Sequence, residues 1–237
     1  MRQFTSSDGL PSNTVNDMLQ DDEGFMWFAT DEGVSRFDGH HFYNFRKPDG
    51  IADDDVIRLG KDQEGRIWFL GFNGKASFYA HGKFYDESNS KVAAQTQLGS
   101  AYSKFMISGK GTVYLVSNTD GFIQVNGDEV KNYSRENLLR QGIVFSNGYK
   151  GVKMDTSGSL WIFSKDSIYI LKEGHQVVSW SRDVFPRDLI EGSFLSDGAT
   201  VIPRNGKLVR IAGAKTDSTG DLGIQVITDY VSIEEDG

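Results

Sequence analysis

Short runs of apolar residues, three to six positions long, recur along the whole chain and are broken by Gly, Asp and Asn. No stretch keeps an apolar stripe at helical spacing for long enough to make a substantial helix. The runs read as strands and the breaks as tight turns. The first group places strands at Val15–Gln20, Phe25–Thr30, Val34–Phe37 and His41–Phe45, with turns at Asp21–Gly24, Asp31–Gly33 and Asp38-Gly39. The second places them at Val56–Lys61, Arg66–Leu70, Ala76–Tyr79 and Lys83–Tyr85, with turns at Asn73-Gly74 and His81-Gly82. The third gives Phe105–Ile107, Thr112–Val116, Phe122–Val125 and Val130–Tyr133. The fourth gives Gly151–Met154, Leu160–Phe163, Ile168–Leu171 and Val177–Trp180. A fifth retains Lys207–Ile211 and Ile224–Asp229. Between the groups lie irregular connections at 46–55, 86–104, 134–148 and 181–188. Ser134 to Gln141 suits one or two helical turns capped by Ser134, and 212–223 reads as an exposed excursion.

Each group carries the same signature: Asp, two residues, Gly, two residues, then a large aromatic. Asp21-Asp22-Glu23-Gly24-Phe25-Met26-Trp27, Asp62-Gln63-Glu64-Gly65-Arg66-Ile67-Trp68 and Asp155-Thr156-Ser157-Gly158-Ser159-Leu160-Trp161 are full copies. Ser108-Gly109-Lys110-Gly111-Thr112-Val113-Tyr114 is a degenerate copy, and Leu195-Ser196-Asp197-Gly198-Ala199-Thr200-Val201 a weaker one. The glycines Gly24, Gly65, Gly111, Gly158 and Gly198 are 41, 46, 47 and 40 residues apart, the period of a four-stranded propeller blade. Asp can bond its own turn and Gly can supply a positive φ. The ring on the second strand fills the wedge between stacked blades, so Trp27, Trp68, Tyr114 and Trp161 are read as packing residues. The fold expected is all-β: a β-propeller fragment of about five four-stranded blades in an incomplete or open ring. Residues 1–237 form one partial propeller, with blades over 15–45, 56–86, 105–133, 149–180 and 189–229. Residues 230–237 begin a truncated sixth blade.

Composition changes this picture little. The 237 residues include 27 Gly, 4 Pro and 12% aromatics, as short strands with many turns require. There is no cysteine, so disulfides, thiolate nucleophiles and Cys-zinc sites are excluded. Nothing in the sequence reaches the roughly 20 apolar residues of a membrane span, so no direct membrane insertion is expected. The start lacks an apolar leader, which leaves a cytoplasmic protein or a chain whose targeting segment lies outside this sequence. The net charge of −8 is uneven. Residues 1–55 hold 12 acids and 4 bases, and the remainder balances. No basic surface for nucleic acid is present. The acidic first quarter reads as solvated turns or, more sharply, as a site for a cation or basic partner.

Candidate chemistry is mostly negative. His40-His41 and His81 occupy equivalent hairpin turns and have no third ligand spaced for zinc. Asp53-Asp54-Asp55 lacks the alternating oxygens and Gly of a calcium loop. Phosphate-loop and nucleophile-elbow motifs do not occur. No cofactor, metal or catalytic residue is therefore assigned. Asn132-Tyr133-Ser134 is formally a glycosylation triplet.

The segment Asp8-Gly9-Leu10-Pro11-Ser12-Asn13-Thr14-Val15, followed by Asp21–Gly24, Trp27-Phe28-Ala29-Thr30, Glu32-Gly33-Val34-Ser35-Arg36-Phe37-Asp38-Gly39 and Phe42–Phe45, resembles the two-component regulator propeller repeat. The second unit departs at Gly71-Phe72-Asn73, and later units match by period more than by motif. The resemblance implies a periplasmic sensor of a hybrid histidine kinase in a glycan-degrading bacterium, with further blades, an immunoglobulin-like module, a membrane helix and kinase domains elsewhere in the parent. It implies that Arg2 to Thr5 is an outer strand closing the ring with a last blade. It also implies an oligosaccharide or other small polar ligand. On the expected fold, loops before the inner strands and between second and third strands share one face, which places Asn13, Asp31, Arg46, Arg58, Asn73, Asn118 and Lys165 together as the candidate ligand site. Two other readings stand beside this non-catalytic sensor. One is a carbohydrate-active propeller enzyme, a glycoside hydrolase or lyase, which needs a carboxylate pair. The other is a protein-interaction scaffold. An open arc exposes blade faces, so a homodimer is a further expectation.

Overall fold

The computed structural model describes residues 3–117, 119–140, 149–154, 158–164, 167–171, 177–181, 193–194, 200–204, 207–211, 215–216 and 222–223. Asn118, Lys165, Gly198, the strand expected at 224–229 and the sixth-blade start at 230–237 lie outside them. The chain divides into two compact units, Met1–Val144 and Phe145–Gly237.

The first unit holds three antiparallel sheets, each with its strands in chain order. The first is β1 (Val15–Gln20), β2 (Met26–Thr30), β3 (Gly33–Phe37) and β4 (Phe42–Phe45). The second is β5 (Val56–Lys61), β6 (Ile67–Gly71), β7 (Ala76–Ala80) and β8 (Lys83–Tyr85). Then comes α1 (Lys91–Ala94), which begins in the connection expected to be irregular, where Ser90 Oγ accepts from the Ala93 amide. The third sheet is β9 (Tyr102–Ile107), β10 (Val113–Ser117), β11 (Gly121–Asn126) and β12 (Glu129–Ser134), followed by α2 (Arg135–Arg140). Ser134 accepts from the Asn137 amide at 3.4 Å, the cap its sequence suggests.

The repeated Asp builds the turn and aims the ring. Asp62 Oδ1 accepts the amides of Glu64 and Arg66 at 3.0 and 2.9 Å. Its Oδ2 accepts Trp68 Nε1 at 2.7 Å and Arg66 Nε at 2.6 Å. Asp21 does the same for Glu23, Phe25 and Trp27 Nε1, at 3.1, 2.9 and 2.7 Å. In the degenerate third copy Ser108 Oγ holds the Thr112 amide at 3.1 Å. Gly24, Gly65, Gly111 and Gly158 have φ of 90°, 76°, 88° and 84°, left-handed values that a side chain would strain.

The oriented rings sit between blades. Trp27, at 0% exposure, is surrounded by Leu59, Ile67 and Phe69 of the next blade, with Tyr79 and Phe84 beside them. Trp68, also at 0%, lies among Val113, Leu115 and Val125, with Phe105 and Val130 flanking. Aromatic side chains carry the largest burial per residue, so the two inter-blade wedges form most of the core.

Each inner strand of the first unit also carries one extra residue at the same place. The register with the second strand slips between Val15 and Asp17, between Val56 and Arg58, and opposite Val116–Ser117. Such bulges leave a backbone group without its ladder partner. Arg58 takes up three of the carbonyls: Nη1 donates to Ile57 at 2.9 Å and Asn16 at 3.5 Å, and Nε to Ser103 at 3.3 Å.

In the second unit β13 (Tyr149–Met154), β14 (Leu160–Ser164), β15 (Ser167–Leu171) and β16 (Val177–Ser181) form a fourth consecutive sheet, again with a bulge in its first strand. Val152, Leu160, Ile162, Phe163 and Leu171 are buried. β17 (Ser193–Phe194), β18 (Thr200–Arg204) and β19 (Lys207–Ile211) make a three-stranded sheet in which Pro203 lies past the two rungs shared with β17. Within the expected excursion, β20 (Lys215–Thr216) pairs with β21 (Leu222–Gly223).

Replacing Asp62 by Ala should lower stability by about 3 kcal/mol or more, because it leaves a buried Arg66 charge and several donors unpaired. Asp62→Asn, which retains one acceptor oxygen for the turn, should lie between Ala and the native residue. Urea unfolding followed by tryptophan fluorescence reads both.

Candidate functional site

Two surfaces of the first unit carry polar side chains from more than one blade. At one end of the blades are the turns between second and third strands and the connections that enter the inner strands. At the other end are the first-to-second and third-to-fourth turns, where a groove opens between the first two blades.

Of the residues singled out from the sequence, Asn13, Asp31, Arg46, Arg58 and Asn73 are among those described. Asn13 Oδ1 accepts the Ser6 amide at 2.8 Å, closing the entry loop. Asn73 uses its whole side chain: Nδ2 donates to the Ala52 carbonyl at 3.1 Å and Oδ1 accepts the Lys75 amide at 2.9 Å. Its own amide donates to Asp53 at 2.8 Å. Arg46 pairs with Glu32 at 3.1 Å on an exposed edge. Arg58 is spent on the bulge carbonyls. Asp31 is exposed and lies in the electrostatic range of Asp55. Partial burial, then the charges of Asp53 and Asp31, hold the Asp55 carboxyl above the usual range. The structure thus brings Asp31, Asp53, Asp55 and Asn73 to one end, where Asn73 spends its side chain on backbone groups and Asp53 accepts the Asn73 amide.

The groove at the other end has a volume of about 230 Å³ and is lined by residues of both blades. Ile67 and Tyr79 supply an apolar wall. The Arg36 guanidinium lies 3.5 Å over the Phe25 ring and pairs with Glu23 at 2.8 Å. Asp22 binds Lys61 at 2.6 Å and Glu64 lies 3.4 Å from Arg66. Each of these carboxylates uses one oxygen on its partner, and Asp22, Glu23 and Glu64 are 73%, 74% and 57% exposed. All three line the groove. Sequence reading left this groove out because it treated Asp22, Glu23 and Glu64 as turn filler. The signal available was that two copies of one acidic turn, a blade apart, must stand side by side.

His81 closes one side of the groove. Its φ is 50°, the sole positive value at a non-glycine among the described residues. The matching hairpin position of the third blade is Gly127, with φ 57°. The His40-His41 turn of the first blade instead wraps Asp38, whose Oδ1 accepts both histidine amides at 2.7 and 2.6 Å. The His41 amide, then the His40 amide, hold the Asp38 carboxyl at about 2. Among the described residues no group of His, Cys, Asp and Glu could hold a metal ion.

Sheets of four consecutive antiparallel strands, stacked through a second-strand aromatic, define a β-propeller class of protein. Residues 9–32 match the two-component regulator propeller family, so this stretch is similar to that family's repeat. A 45-residue stretch is 42% identical to a protein named histidine kinase P4 from Formosa agariphila, covering 19% of this chain and 3% of that protein. Among solved structures, the extracellular domain of a hybrid two-component system from B. thetaiotaomicron superposes with a TM-score of 0.62 at 18% identity, over 94% of this chain and 34% of that one. Virginiamycin B lyase from Staphylococcus aureus superposes with a TM-score of 0.54 at 11% identity, over 93% of this chain and 72% of that one. These structural likenesses establish the blade-based fold. The chain spans about a third of the length of the two-component structure and a small fraction of the kinase.

Two measurements follow from the turns. His81→Gly should raise stability by about 0.5–1 kcal/mol, relief of the left-handed backbone exceeding the added freedom of the unfolded chain; chemical denaturation reads it. For Asp38 the folded value lies below the ordinary one. Its contribution to stability is therefore complete above the usual carboxylate range and lost as pH falls through about 2. Carbon NMR should place its titration midpoint near 2.

Proposed function

We propose that this chain is the ligand-sensing, non-catalytic propeller portion of a periplasmic two-component receptor, responsive to an oligosaccharide. The observation that carries the reading is the repeat at residues 9–32, which belongs to a regulator family. The kinase similarity over 45 residues and the fold shared with an extracellular receptor domain point the same way. The parent kinase, its remaining blades and its immunoglobulin-like module would turn occupancy into a signal.

The groove between the first two blades is the seat for the ligand in this proposal. Its combination of carboxylate oxygens, a guanidinium and an aromatic wall suits hydroxyl groups on a ring with one apolar face. At about 230 Å³ it is smaller than the roughly 300 Å³ lower bound for drug-sized ligands, so it takes one sugar unit of a longer chain. The carboxylates Asp21, Asp22, Glu23 and Glu64 are engaged in turn hydrogen bonds or ion pairs, which favours binding over catalysis.

A thermal-shift screen against plant and host oligosaccharides tests this. A ligand present at a hundredfold excess over its dissociation constant adds about 2.7 kcal/mol, a rise of roughly 5–10 °C for a domain of this size. Asp22→Asn with Glu64→Gln should abolish the rise, while Asp31→Asn should preserve it. A rise lost only in Asp31→Asn would move the site to the other end of the blades. A cooperative melt unmoved by every glycan, or release of cleaved sugar, would refute the sensor reading.

A further inference from the structure

The first three blades meet at two boundaries, and the repeat lets the two be compared residue by residue. Phe25 and Arg66 each follow the turn glycine by one position. Arg36 and Phe78 each stand opposite the clamped tryptophan on the third strand. His81 and Gly127 each open the third-to-fourth hairpin. Between the first blade and the second, arginine and phenylalanine have therefore exchanged places. The guanidinium still lies by the ring in both, 3.5 Å from Phe25 for Arg36 and 5.5 Å from Phe78 for Arg66.

The exchange changes what crosses the boundary. At the second boundary Arg66 holds Asp62 at 2.6 Å and Glu64 at 3.4 Å, and its Nη1 also donates to the Gly127 carbonyl at 3.4 Å. One cation thus ties an acidic turn to the hairpin of the next blade. At the first boundary the acidic turn recurs as Asp21, Asp22 and Glu23, and the facing hairpin is His81-Gly82. Arg36 reaches the turn, with Nη2 2.8 Å from Glu23 and Nε 3.7 Å from Asp21. Among the described residues it has no hydrogen bond to the hairpin, and its buried Nε has no hydrogen-bond partner. Phe25, at the position of Arg66, carries no donor. The groove opens at this boundary, and the charged groups on its walls are four carboxylates, Asp21, Asp22, Glu23 and Glu64, against the single guanidinium of Arg36. Such a wall favours a cation and repels an anion.

Resting on the sensor reading and on this groove as its seat, we propose that the sugar unit held here carries a free, protonated amine. The ammonium of an amino sugar does at the first boundary what Arg66 does at the second: it links the acidic turn to the next hairpin by charge-assisted hydrogen bonds. The ring lies along Tyr79. An N-acetylated sugar has the same ring without the charge, and a uronic acid brings the wrong one.

The test is calorimetric titration and thermal shift at about 0.15 M salt, which screens long-range attraction to the acidic chain. The probes are a glucosamine trimer, the same trimer N-acetylated, a galacturonate trimer and trilysine, which matches the charge without the ring. The glucosamine trimer should bind at least tenfold more tightly than each of the others, and its affinity should fall as pH rises through the pKa of its own amine. Phe25→Arg combined with Arg36→Phe gives the first boundary the arrangement of the second, and should weaken binding by tenfold or more. Glu64→Gln, a single change of the same shape, should weaken it in the same direction and reads the site if the exchange variant fails to melt cooperatively. Binding of the N-acetylated or galacturonate trimer as tight as that of the amine overturns the proposal and leaves the sensor reading standing. Equal binding of trilysine overturns it too, because charge alone would then suffice. Amine binding unchanged in the variants overturns the placement in this groove. Binding of no glycan at all overturns both the proposal and the sensor reading.

Discussion

The structure depends on a carboxylate that does two things at once. Asp62 closes the turn between the first two strands of its blade and, through the same side chain, fixes the indole of Trp68. The ring is then delivered in one orientation to the neighbouring blade. A four-stranded sheet with two apolar faces is not stable alone, so each blade needs a neighbour on both sides. Coupling turn closure to ring placement makes local folding and inter-blade packing the same event. The cation near the carboxylate is supplied differently each time: Arg66 comes from the turn itself, whereas Arg36, 3.7 Å from Asp21, comes from the third strand. Balanced charge at the clamp is kept while its source changes.

The groove is a by-product of this packing. Two copies of the acidic turn are brought side by side because the blades stack in register, and the residues of the turn not used by the clamp line the space between them. Lys61 reaches back to Asp22 across the boundary, as Asp17 reaches forward to the Leu59 amide. Polar contacts at the rim and the tryptophan within the wedge are thus complementary: the apolar part provides most of the burial, and the polar part sets the register.

Much of the fold was legible in the chain. Period-two runs, Gly turns and the spacing of the Asp-Gly-aromatic signature predict nearly every strand of the first three blades, with ends displaced by at most three residues. The helix beginning after Ser134 was visible because its cap precedes a run of helix formers. The short helix α1 was not, since four residues carry too little periodicity to be seen. The inner-strand bulges were also hidden: an extra residue leaves the apolar pattern intact on either side. For the same reason Arg58 and Asn73 looked like free loop polar groups, although bulge and turn backbone atoms consume their hydrogen bonds.

The sequence by itself determined the blade, because strand periodicity, turn chemistry and the clamp all act within about 30 consecutive residues. Only the tertiary structure decided which polar residues meet across blades and which apolar residues, Met18 among them, remain exposed. Those outcomes rest on stacking between segments about 40 residues apart, where no local preference distinguishes a filled face from an open one.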